Sequence, residues 1–86
     1  MTVEAIALDK IRLKDARAQL GLSQAELARL AHVHWHSVGR CERGVAIRLT
    51  TAWAILDVLN ERRARRNLPV LELKDLTWKI EGEEDD

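Results

Sequence analysis

Cysteine is nearly absent: Cys41 is the single one in 86 residues. One thiol excludes an intramolecular disulfide framework, and the lack of a second cysteine beside the three histidines weakens a structural zinc reading. Long apolar runs are missing as well. None approaches the ~18 to 20 residues that a membrane span requires, and Met1–Lys10 carries Glu4 and Asp9 where a signal peptide carries basic residues. The expectation is a soluble chain, unprocessed as written, in the reducing cytoplasm of a cell. Length is also short: two independent cores would leave each half near the size where disulfides, metals or partners become necessary, so 86 residues make one small domain. That size argues against a large enzyme with a deep cleft.

Net charge is absent too, but only in the total. Residues 1–68 hold twelve basic residues against seven acidic ones, a balance of +5, while 69–86 hold two against seven, a balance of −5. The neutral sum conceals a basic body with an acidic tail. Such segregation suggests a body that meets a polyanion and a tail that is solvated or lies on something basic. The cluster Arg62, Arg63, Arg65 and Arg66 is the nearest basic candidate; ordinary surface charge is the plain alternative.

Apolar spacing predicts a first helix from about Asp9 to Leu20, with Asp9 as N-cap, Leu13, Ala16 and Leu20 on one face, and Gly21 to stop it. The second start is better marked. In Leu22-Ser23-Gln24-Ala25-Glu26-Leu27 the Ser23 hydroxyl can accept from the Glu26 N–H while the Glu26 carboxylate reaches back to the Ser23 N–H, with Leu22 and Leu27 as a hydrophobic staple. This helix runs to about Ala31 and buries Leu27, Leu30 and Ala31.

A third helix spans roughly Trp35 to Arg43, with Gly44 at the left-handed position past its end. Its start is weakly signalled, because His34 stands where Ser or Thr caps best and Gly39 costs ~1 kcal/mol relative to Ala. Val38 and Cys41 face inward with Val33, leaving Trp35, His36, Gly39, Arg40 and Arg43 outward. Thr50 or Thr51 caps a fourth helix whose Ala52, Ile55, Leu56 and Leu59 form a core-facing stripe; it continues through Arg66 until Pro69 ends it. Beyond, Leu76, Trp78 and Ile80 alternate with Thr77 and Lys79 as a short strand, for which Val3 to Leu8 is an available partner. Such a pair needs the helices or another chain for support. Glu81 to Asp86, five acids in six residues, is expected to be a disordered acidic tail after a domain spanning 1–80.

Two short helices joined by the tight turn Ala31-His32-Val33, the second with a polar outer face, match a helix-turn-helix over about 23–43. Leu22-Ser23-Gln24-Ala25-Glu26-Leu27-Ala28, followed by Val33, Val38 and Cys41-Glu42-Arg43-Gly44, resembles the phage repressor and Cro family of helix-turn-helix domains (Cro/C1, or XRE-like). The resemblance covers about Ile11 to Leu59. It implies a mainly α fold, a small lambda-repressor-like helical bundle, to which the terminal β-strands would be additions. It also implies a sequence-specific transcription regulator of bacterial or phage type, an immunity repressor or a Cro-like antagonist, that reads the major groove of a double-stranded DNA operator.

Site residues follow from the same resemblance. Gln24, at a helix N-terminus, stands where similar proteins touch a phosphate. Trp35, His36, Gly39 and Arg40 take base-reading positions, with His34 and Ser37 beside them. Arg40 leads, since its guanidinium can donate twice to guanine O6 and N7; a phosphate contact or simple solvation is its plainer role. Trp35 departs from the small polar residue usual there: it packs on a thymine methyl or a sugar, or it packs on the second helix as a satellite of the core. Gly39 lets the backbone approach DNA, or is merely tolerated. Arg43 and Arg48 meet phosphates, and Arg17 with Glu42 forms a structural ion pair.

His32, His34 and His36 alternate as metal ligands sometimes do, but the helix begins inside the triplet, so the side chains should diverge, and no carboxylate or thiolate completes a set of four. No cofactor, metal, membrane or small-molecule substrate is expected. Ser23, Ser37 and Cys41 lack a base and orienter, which speaks against catalysis. The competing function is an antitoxin or protein-interaction module whose segment Leu71 to Asp86 binds a partner protein. Trp53, Val58 and the strand around Trp78 form either a homodimer surface or part of a monomer core.

Overall fold

The computed structural model describes residues 10–82. Among the described residues four helices, α1 (Leu13–Gln19), α2 (Gln24–Ala31), α3 (Trp35–Glu42) and α4 (Leu49–Arg65), are followed by a 3-10 turn at Leu73–Asp75. The fold is a mainly helical bundle around one apolar core. Leu13 and Ala16 of α1, Leu27 and Ala28 of α2, Val38 and Cys41 of α3, and Ala52, Ile55, Leu56 and Leu59 of α4 are all buried in it. These are the stripes that helical spacing predicts. Val33 and Leu30 are only half-buried at its edge.

Each of the four helices ends in the same hydrogen-bonded motif. A residue one or two positions past the helix adopts a left-handed conformation: Gly21 (φ 71°), His32 (φ 57°), Gly44 (φ 88°) and Asn67 (φ 59°). The residue after it donates back five positions: Leu22 to Arg17, Val33 to Ala28, Val45 to Arg40 and Leu68 to Arg63, at 2.9–3.1 Å. These bonds satisfy terminal carbonyls that a helix leaves open, and the reversed chain direction sets each turn. At His32 a non-glycine residue carries the tight turn between α2 and α3.

Two helix starts differ from expectation for one reason. Helix α1 begins at Leu13 with Arg12 as an N-cap that makes no side-chain capping bond, its Nε donating instead to Asp15 Oδ2 (2.8 Å), because Ile11 is extended: its N–H donates to Asp75 O (2.9 Å) and its carbonyl accepts from Thr77 (3.2 Å). Asp9, the expected cap, lies outside the described residues. Helix α4 begins at Leu49 rather than after Thr50 or Thr51, and Arg48 makes no side-chain cap bond. Ile47 just before it is held by Lys79 O (3.0 Å) and by the N–H of Glu81 (2.8 Å).

The same bonds revise the terminal strands. Residues 76–80 alternate as expected, with Leu76 and Ile80 buried, Trp78 half-buried, and Thr77 and Lys79 exposed. They form no strand; the contacts are two isolated parallel bridges, Ile11 with Leu76 and Ile47 with Ile80. Val3 to Leu8 lies outside the described residues, as does the tail beyond Gly82. This C-terminal segment, residues 68–82, is a strap tightened by Asn60, which donates to Leu71 O (2.9 Å) and accepts from its N–H (2.8 Å), and by Trp78, whose Nε1–H reaches Leu73 O (3.0 Å).

Candidate nucleic-acid interface

Helix α2 starts with the expected capping box: the Glu26 N–H donates to Ser23 Oγ (3.0 Å) and the Ser23 N–H to Glu26 Oε1 (2.9 Å). The bond from the Ser23 backbone N–H first, and then the Ser23 hydroxyl, hold the Glu26 carboxyl below its ordinary value. Helix α3 follows after the His32 turn and caps itself in a way not read from the sequence. His34 Nδ1 accepts the His36 N–H at 3.1 Å. An imidazole nitrogen thus occupies the place of a serine hydroxyl.

Glu42 orients α3 against both earlier helices. Arg17 of α1 donates to it twice, Nε to Oε2 at 2.7 Å and Nη2 to Oε1 at 3.0 Å, while Arg17 Nη1 holds Leu22 O (3.1 Å) and Gln24 Nε2 of α2 reaches Oε1 at 2.8 Å. The two charged side chains are only 15% and 9% exposed. Burial by itself would raise the Glu42 carboxyl, but the hydrogen bonds from Arg17 and Gln24 and the Arg17 charge outweigh it and hold the carboxyl low. The bond to Glu42 correspondingly raises Arg17. Cys41 beside them has its thiol pushed up to about 12, first by burial and then by the Glu42 charge, which makes it inert rather than nucleophilic.

The residues expected to meet DNA fall into two groups. His34, Ser37, Arg40 and Arg48 line one cleft of about 600 Å³ between α3, the loop after it and the start of α4. Thr50 and Thr51 complete its wall, as does Glu81 from the strap. The threonines look like caps in the sequence, and only the position of α4 turns them to the cleft. Trp35 and His36 are exposed at the N-terminal end of α3, where their rings lie 3.7 Å apart between centroids. Trp35 is 65% exposed, which rules out the alternative of packing on α2.

Gly39 is a correction. It is buried rather than outward, because the ends of Gln24 and Arg43 cover it: a Cβ there would meet Gln24 Oε1 and Arg43 Nη1 at 3.4 Å each. Gln24 itself is exposed, with its amide nitrogen turned to Glu42 rather than outward. The arginine cluster of α4 is a second correction. Arg63 is buried, donating to Pro69 O (2.7 Å) and Gln19 Oε1 (2.8 Å), and Arg66 caps Gln19 O (2.9 Å). Arg65, still exposed, pairs with Glu61 at 3.1 Å, and the acidic tail itself lies outside the described residues.

His34 and His36 stack at 5.0 Å while His32 stands in the turn, and among the described residues no three His, Cys, Asp or Glu side chains are placed to share a metal ion. Nor is any described helix long and apolar enough to cross a membrane.

A capped short helix, a left-handed turn and a second helix locked across it by a shared carboxylate define a helix-turn-helix domain. The profile of the helix-turn-helix family matches residues 13–66, all four helices, and the chain belongs to that family in its Cro/C1 (XRE) type, a DNA-binding transcription regulator. Neither a curated protein nor a solved structure matches the chain.

Proposed function

We propose that the chain is a repressor, of the immunity or Cro-like kind found in bacteria and phages, that holds a double-stranded operator with α3 in the major groove. The observation that carries this reading is the convergence of His34, Ser37, Arg40 and Arg48 on one cleft beside the exposed Trp35 and His36. Arg40 reads guanine from the middle of α3, Arg43 and Arg48 bind phosphates on the flank, and Gln24, whose amide nitrogen already donates once to Glu42, offers its second N–H to the backbone at the start of α2. Regulators of this geometry pair on half-sites about one DNA turn apart. Trp53 and Val70, 49% and 68% exposed beside an apolar groove, supply the surface for a homodimer.

The antitoxin reading has less support. It depends on an apolar C-terminal segment free for a partner, yet Leu76 and Ile80 are spent in this chain's own core. Selection of bound sites from random DNA tests the proposal. One recovered motif with inverted symmetry is expected; recovery of no motif, with affinity equal on all sequences, would overturn it.

A further inference from the structure

Trp35 is the one member of the reading surface whose character is mainly apolar, and its surroundings are built. Its ring lies 3.7 Å from that of His36, tilted by 38°, and the His36 ring lies 5.0 Å from that of His34. His34 is in turn held by the hydrogen bond its Nδ1 accepts from the His36 N–H. The three rings form a ledge at the start of α3. His36 backs the indole, so Trp35 has a neighbour on that side and stands 65% open to solvent.

We infer that this ledge is a binding subsite for the C5-methyl group of a pyrimidine, that of thymine or of 5-methylcytosine, in the major groove. The inference rests on the DNA-reading proposal and adds the group that covers Trp35. A large exposed ring gains free energy only when something apolar covers it. His34, one ring of the ledge, also lines the cleft that holds Arg40 and Arg48, so on the DNA-reading proposal the cover comes from a polyanion. On the base edges of the major groove the C5-methyl is the apolar group, and the indole, a donor without an acceptor, has no way to bind the amino group of adenine or cytosine. A methyl added to cytosine stands at the same ring position as that of thymine, so the ledge reads methylation as well as sequence.

The test uses the full 86-residue chain on its selected site. Each thymine is replaced singly by deoxyuridine, which deletes the methyl and nothing else. One replacement should weaken binding about fourfold, the value of one buried methyl-sized group. At that position 5-methylcytosine should exceed cytosine by the same factor. Trp35→Ala should lose both differences and Trp35→Phe should keep part of them. Indifference of the wild-type chain to every deoxyuridine overturns the inference and assigns the ring to the sugar. A methyl effect that survives in Trp35→Ala overturns it too, by assigning the methyl to another residue. Failure to select any site overturns the DNA-reading proposal itself, which is a different outcome from indifference on a selected one.

Discussion

The Glu42 carboxylate accepts from Arg17 and from Gln24 while standing in the last turn of α3, where the helix dipole disfavours a negative charge. Its position is tolerable because two other helices answer it. Arg17→Met leaves the carboxylate nearly buried and without its cation, which should lower stability by about 2 to 4 kcal/mol in denaturant titration. An unchanged midpoint would remove the pair from the architecture. The same carboxyl, held low when folded, contributes stability that is complete above the ordinary glutamate range and is lost as pH falls through its folded value. Glu42→Gln should therefore flatten the acid side of a melting-temperature profile, leaving the part that belongs to Glu26. Arg40 and Arg48 share a cleft but differ in kind, since one projects from α3 and the other precedes α4. Arg40→Ala should cost about 1 to 3 kcal/mol on the selected site, far less on random DNA, and relax one base position. Arg48→Ala should weaken both DNAs alike and reduce the log–log salt slope by about 1. Equal losses for Arg40→Ala would make it a phosphate clamp and move sequence reading to Trp35 and His36.

Helix α3 is a short element with two local oddities, an imidazole cap and an internal glycine, and their energetics pull in opposite directions. His34→Ala removes the acceptor for the His36 N–H and should cost about 1 kcal/mol, as loss of other caps does, whereas His34→Ser should restore it. Gly39→Ala gains about 1 kcal/mol of helix propensity. The new methyl meets only the ends of two flexible side chains, Gln24 and Arg43, at 3.4 Å. Thermal melting should therefore show a small stabilisation. A lower melting temperature would mean that Gln24 and Arg43 are not free to give way, and that their cover over Gly39 is part of how α3 is held.

Across the whole molecule the strap after α4 does more than end the chain. It joins Ile11 before α1 to Ile47 before α4, so both helix starts depend on it, and it brings Glu81 to the cleft of Arg40 and Arg48. Four further acids, Glu83 to Asp86, follow from that point in the sequence. The last described acid, Glu81, thus stands beside the reading surface. Ending the chain at Gly82 removes four negative charges from a net charge of zero, giving +4. Affinity for random DNA should rise and its salt dependence steepen, while the melting temperature holds because Ile80 is kept. Identical salt titrations with and without these residues would make the tail an inert solubilising segment.

The features legible from the residues themselves have a cause within about four residues; the Arg17–Glu42 pair, whose members are 25 residues apart, was implied only by the family resemblance. The capping box at Ser23, the stripe Ala52-Ile55-Leu56-Leu59 and the stop at Gly44 follow from the helical repeat and from local hydrogen bonds, and with them the helix-turn-helix pattern. Where α1 and α4 begin was decided elsewhere, by backbone bonds from residues 75–81 that compete with helix for Ile11 and Ile47. The burial of Arg63, the cover over Gly39 and the convergence of Thr50, Thr51 and Glu81 with Arg40 have the same origin. Periodicity records which face of an element is apolar. Which distant polar groups come to meet it depends on packing, because a carbonyl at Pro69 or a carboxylate at Glu81 carries no local mark of the partner that the fold brings to it.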